Sequence, residues 1–139
     1  MMSIYALDSN IISYMLKNDV DVISRYRQES DRGNSFVILP IIYYEIQRWL
    51  LSKKLNKKIA LFNNLCHETE QVEFNKAIWH KAAQICATLY QRGTPIDDSD
   101  IFIAAFCLEN DYTLVTNNTR HFEHFDGLKF VNWKVNCNL

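Results

Sequence analysis

The stretch Ile4-Tyr5-Ala6-Leu7-Asp8-Ser9-Asn10 joins an apolar run to a helix-start signal. Four apolar residues suit a buried strand, and Asp8-Ser9-Asn10 supplies the short polar side chains that open a helix. A carboxylate at such a junction lies at the carboxyl end of a strand, where burial is costly unless the charge is paired or bound to a cation. Two further acids keep similar company. Glu45 stands in the second turn of the segment opened by Pro40, and Asp100 starts the apolar run Ile101-Phe102-Ile103-Ala104-Ala105.

Outward from this stretch the pattern alternates. A short helix is predicted from Asn10 to Lys17 and a second through Val20, Ile23 and Tyr26, ending near Gly33-Asn34. Phe36-Val37-Ile38-Leu39 reads as a buried parallel strand stopped by Pro40. Helices follow from Ile41 to about Lys54, then after Asn56 through Ile59, Phe62 and Leu65. A short strand is expected over Gln71–Phe74, and a long helix over Asn75–Arg92 with Gly93 at its left-handed C′ position. Another helix spans Ser99 to Glu109. Asn110-Asp111 is a turn, Tyr112–Thr116 a strand, and Lys129–Trp133 the final strand. Strands alternating with helices predict an α/β fold, a three-layer α/β/α sandwich around a mainly parallel sheet. Residues 1–139 are expected to form one domain.

Composition narrows the function. The chain of 139 residues is 48% hydrophobic and 13% aromatic, with three Gly and two Pro. No apolar run approaches the roughly 20 residues of a membrane span, and the start of the chain lacks a basic signal-peptide region, so a cytoplasmic location is expected. The net charge of −1 means that any nucleic-acid contact would rest on local patches. The one concentrated basic cluster is Arg48, Lys53, Lys54, Lys57 and Lys58; a solvated helix surface is its plain explanation. Tyr43, Tyr44 and Trp49 nearby are candidates for base stacking or a partner groove, with core or dimer packing expected for at least two of them. The cysteines, Cys66, Cys86, Cys107 and Cys137, show no metal-binding spacing, and core roles are expected for Cys86 and Cys107. His121 and His124 are read as exposed histidines.

Glu45 lies three residues after Ile42 and four before Trp49, and Asp100 shares a helix face with Ile103, Ala104 and Cys107. Each acid also has a structural explanation: Glu45 capping free amides, Asp100 forming a capping box with Asp97. Taken together with Asp8 they suggest a hard-cation site. Mg²⁺ and Mn²⁺ prefer oxygen ligands and are held by a few carboxylates plus substrate phosphate.

In this order and spacing, the motifs resemble those of PIN-domain ribonucleases, in particular the VapC-type toxins of toxin–antitoxin pairs. They are Leu7-Asp8-Ser9-Asn10, Glu45 after Pro40, and Pro95-Ile96 followed by Asp100 and Ile103-Ala104-Ala105. The run Leu114-Val115-Thr116-Asn117-Asn118-Thr119-Arg120-His121-Phe122 and the closing Gly127-Leu128 and Asn132-Trp133 complete the set. The resemblance covers nearly the whole chain. It implies Mg²⁺- or Mn²⁺-dependent endonucleolytic cleavage of RNA to 5′-phosphate and 3′-hydroxyl ends, a homodimer, and neutralisation by an antitoxin partner. It also implies that Asp8, Glu45 and Asp100 hold the metal, with the Thr116 hydroxyl beside it. The family's fourth acidic position departs here, falling on Asn118 or His121. Asp98 is an auxiliary candidate but is expected to serve as a helix N-cap, and Arg120 is a candidate phosphate contact.

Two other classes were weighed. A phosphoryl-receiving domain needs an Asp after the Phe36–Leu39 strand, where Pro40 stands, and an Asp-x-Asp phosphatase fails at Asn10. The remaining alternative is a catalytically weak or inactive PIN-fold binding protein acting with an antitoxin in operon autoregulation.

Overall fold

Strand β1 (Ile4–Leu7) forms at the centre of the sheet, and Asp8 ends it by capping helix α1 (Ser9–Leu16): its side chain accepts the Ser9 N–H. Helix α2 (Val20–Asp31) follows, capped by Asp19 through the Val22 N–H. The chain then enters β2 (Ser35–Val37) and turns at Leu39 into α3 (Pro40–Ser52), where proline takes the first helical position because its missing N–H has no bond to lose there. Helices α4 (Asn56–Glu68), α5 (Lys76–Gln91) and α6 (Asp98–Asn110) precede β3 (Thr113–Val115), a one-turn helix α7 (Thr119–Phe122) and β4 (Phe130–Val131). The structure, a computed structural model, describes residues 2–134.

All four strands are parallel, in the order β2-β1-β3-β4. Ala6 and Leu7 point to opposite faces of the sheet, yet both are fully buried, as are Leu114 and Val115 in β3. Both faces are therefore covered, which is the condition a parallel sheet requires. The α/β/α sandwich is as expected. Helix α6 is apolar on every side: Ile101, Ile103, Ala104, Ala105, Phe106 and Cys107 are all buried. A helix with that pattern belongs inside the molecule, and this one carries Asp100 in its first turn.

Three details differ from expectation. Gln71–Phe74 forms no strand; Glu70 makes a single parallel bridge to Val37, and Phe74 turns away to pack on Trp79, Phe102 and Phe106. The last strand is limited to Phe130–Val131, since Trp133 leaves the ladder to bury its ring against Tyr5 and Phe36. Cys86 is exposed, whereas Cys107 is in the core; Cys137 lies outside the described residues. Of the three aromatics around Glu45, Trp49 packs partly buried against the core and Tyr43 against Phe62, while Tyr44 stands open beneath the Arg48 guanidinium.

Candidate active site

The sheet order reverses direction between β1 and β3. From β1 the chain goes to β2 on one side, and β3 later adds on the other, so a crevice opens at the carboxyl ends of this pair. Because Leu7 pairs with Val115, the next residues, Asp8 and Thr116, come side by side. The Thr116 hydroxyl donates to Asp8 Oδ2 at 2.7 Å, and the Asp8 N–H donates to the Val115 carbonyl at 2.9 Å. Asp8 is 5% exposed and Thr116 fully buried.

Asn10, in the first turn of α1, completes the cradle. Its amide donates to Asp8 Oδ2 (3.3 Å) and Thr116 Oγ1 (3.4 Å), and its carbonyl oxygen accepts the Asn117 N–H at 3.0 Å. The Asn118 N–H donates to Thr116 Oγ1 at 3.0 Å. Asn117 continues outward to the Tyr14 hydroxyl and accepts from Asn132. The loop after β3 is thus sewn to the start of α1 by side-chain amides.

Burial raises the Asp8 carboxyl above the ordinary range; the hydrogen bonds from Thr116 and Ser9 oppose that, and the charges of Asp100 and Glu45 add to it. The three acids named from the sequence therefore share one field. Burial likewise raises the Asp100 carboxyl, countered by His121 and reinforced by Asp97. Beneath them the Cys107 thiol is pushed up by burial and by the nearby Asp8 charge.

Each acid has its own holder. Ser99 Oγ–H donates to Glu45 Oε1 at 3.1 Å, tying α6 to α3, and His121 Nδ1 lies 3.2 Å from Asp100 Oδ2. Glu45 does not cap its own helix, and the Asp97–Asp100 capping box is absent: Asp97 occupies the N-cap without a side-chain cap bond. Asp98 is the first helical residue and exposed, not the cap. Asn118 lines a groove of about 670 Å³ with Glu45 and Asn10. Arg120 lines a neighbouring recess of about 390 Å³ with Asp100 and His121. The contacts of Asn10 and Ser99 with the acids went unread in the sequence, whereas His121, beside Asp100, falls on one of the two positions matched to the family's fourth acid. Asn10 and Ser99 carried only the signal of polar residues at helix starts, which capping already explains.

Among the described residues, no three His, Cys, Asp or Glu side chains stand close enough to ligate one ion together.

A model of the PIN domain matches residues 5–128. The chain belongs to the PIN-domain family. Among PIN relatives, Ribonuclease VapC1 of Haemophilus influenzae is 27% identical over 131 residues, covering 94% of this chain and 98% of that protein. The tRNA(fMet)-specific endonuclease VapC of Shigella flexneri is 27% identical over 132 residues, covering 93% and 97%. The solved PIN fold of VapBC2 from Rickettsia felis, bound to a DNA fragment from its promoter, superposes with a TM-score of 0.85 at 25% identity, covering 94% and 99% of the two chains. VapBC-1 from nontypeable Haemophilus influenzae gives 0.82 at 26% identity, covering 94% and 98%.

Proposed function

We propose that this PIN-domain chain is a divalent-metal-dependent endoribonuclease of the VapC kind, the toxin of a toxin–antitoxin pair. The observation that carries the reading is the buried Asp8 carboxylate, held by Thr116 and Asn10 while Glu45 and Asp100 oppose its charge. A protein does not assemble three such acids at a strand switch point for stability, since the charges of Asp100 and Glu45 add to the cost of ionising buried Asp8.

PIN-domain nucleases generally depend on a divalent metal. The donors here fit Mg²⁺ or Mn²⁺, because they are oxygens and because such ions keep several waters and take only one or two protein carboxylates directly. Asp8, Glu45 and Asp100 would hold the ion and its waters. When bound, the ion activates water and offsets charge on the phosphoryl oxygens.

The protein's own groups divide the remaining work. Asp8 accepts from Ser9, Thr116 and Asn10, so most of its lone-pair capacity is committed and its orientation is set. Glu45 Oε2 and Asp100 Oδ1 have no hydrogen-bond partner among the described residues, which leaves them to orient the attacking water and receive its proton. The Thr116 hydroxyl favours the ionised form of Asp8 and so opposes the effect of its burial. Asn118 and Arg120, at the rims of the two recesses, face incoming phosphate, while Asp98 takes no part. The products would be a 5′-phosphate and a 3′-hydroxyl.

The relatives in the VapBC structures are solved as toxin–antitoxin complexes, and an antitoxin partner is proposed here on that likeness, with a homodimer as the working assembly. Among the described residues no helix is long and apolar enough to cross a membrane. The test is cleavage of total RNA by purified chain with Mg²⁺ or Mn²⁺, beside EDTA and Asp8→Asn. Discrete fragments needing both metal and Asp8 are expected. Folded protein that cuts nothing with either ion would return the chain to the non-catalytic regulatory reading.

A further inference from the structure

Helix α3 carries more than Glu45. Arg48, Trp49 and Ser52 follow it at i+3, i+4 and i+7, on the same face, and all four line the groove that also holds Asn10 and Asn118. From Ser52 the face runs into the turn to α4, where Lys53, Lys54, Lys57 and Lys58 stand. Arg48 on the groove wall and the four lysines at the α3–α4 junction thus form a basic strip beside the acidic pocket.

Local stability explains only half of this strip. Lys53 and Lys54 close α3, where cations favour the helix dipole. Lys57 and Lys58 occupy the first turn of α4, where positive charge is unfavourable and where no acidic residue stands. Among the described residues, none of these four lysines nor Arg48 lies within ion-pair distance of a carboxylate; every ion pair involves other side chains. In a chain of net charge −1, five uncompensated cations gathered beside an acidic pocket call for a polyanion. The strip also carries an aromatic plane: Lys58 Nζ lies 5.8 Å from the centre of the Trp49 ring, which is partly buried against the core and lines the groove wall.

We propose that this face is a track for single-stranded RNA, with backbone phosphates on Arg48 and the α3–α4 lysines and one base against Trp49. The proposal rests on the ribonuclease reading for its substrate class and adds the path by which the strand leaves the cutting point. Phosphate contacts give affinity without sequence choice, and a stacked base gives a foothold that every base can supply. An acidic protein segment would satisfy the lysines equally but would leave the Trp49 plane without a planar partner.

The experiment measures binding of a fluorescent single-stranded RNA oligonucleotide across a salt series, in the Asp8→Asn background so that nothing is cut. The triple variant Lys53→Gln/Lys57→Gln/Lys58→Gln should flatten the slope of log affinity against log salt by about 2, at roughly 0.7 per lost contact. Trp49→Leu should weaken binding about tenfold at every salt concentration with the slope unchanged, and Trp49→Phe should restore most of it. Melting curves for each variant confirm folding. Unchanged affinity and slope in the triple variant would overturn the track. So would a triple variant that keeps its RNA affinity while losing a co-expressed partner protein. Cleavage by the unmutated chain is scored separately: cutting with no effect of the lysines sinks only the track, and lysine-dependent binding without cutting sinks only the nuclease.

Discussion

The Asp8 carboxylate opposes the stability of the fold that buries it. Its carboxyl is raised by burial first and by Asp100 and Glu45 in addition, so the folded chain holds that proton more tightly than the unfolded one. The stability linked to Asp8 is therefore present at low pH and is lost as pH rises through its raised native value. Asp8→Asn should raise the melting temperature of the metal-free protein at neutral pH while abolishing metal-dependent RNA cleavage. A lower melting temperature in EDTA would count against this account. Thr116→Val keeps the shape but removes the one hydroxyl bonded to that charge. It should cost about 1–3 kcal/mol in urea denaturation and much less in the Asp8→Asn background, which a double-mutant cycle will show. The acids themselves were legible because a carboxylate amid apolar neighbours is anomalous in any sequence. Ser99 and Asn10 were not, since a hydroxyl or amide at a helix start is already accounted for, and only the fold shows that these two reach Glu45 and Asp8.

At the level of elements, helix α2 is anchored by Glu29, which is 2% exposed. It accepts from Tyr5 on β1 (3.1 Å), from Asn34 in the turn to β2 (2.7 Å), and from Arg25 and Arg32. Burial alone would raise this carboxyl; the bonds from Asn34, Tyr5 and Arg25 and the charge of Arg32 outweigh it, so the native value is lowered. The sign is opposite to that of Asp8. The contribution is present above the ordinary glutamate range and lost as pH falls through the lowered native value. Glu29→Gln should cost about 3 kcal/mol, at the low end for a buried ion pair because both arginines are half exposed. It should also flatten the acid limb of stability against pH, followed by denaturant midpoint. Asn75 caps α5 by accepting the Ile78 N–H at 3.0 Å, far from the pocket; Asn75→Ala should cost about 1 kcal/mol and leave cleavage unchanged. Strands β1 and β3 could be read in advance, because each is a short apolar run bounded by turn residues. Gln71–Phe74 shows the same local alternation, but β2 is three residues long and offers its edge little to pair with, and the aromatic cluster around Phe74 wins instead.

For the molecule as a whole, the site and the core are one structure. Asp100 lies in the first turn of the largely buried helix α6, Asp8 and Thr116 end two central strands, and Glu45 is tied to α6 through Ser99. Loss of cleavage in urea should therefore coincide with loss of the far-ultraviolet circular dichroism signal. Inactivation well below the unfolding midpoint would show instead that the pocket loosens alone. The hydrogen bond from Thr116 to Asp8 also spans 108 positions of the chain. At roughly 5–20 residues per second of synthesis, that separation corresponds to about 5–20 s between the making of Asp8 and the arrival of its partner. The ribosome that produces this chain, itself built of RNA, therefore meets only half a pocket until Thr116 has been made.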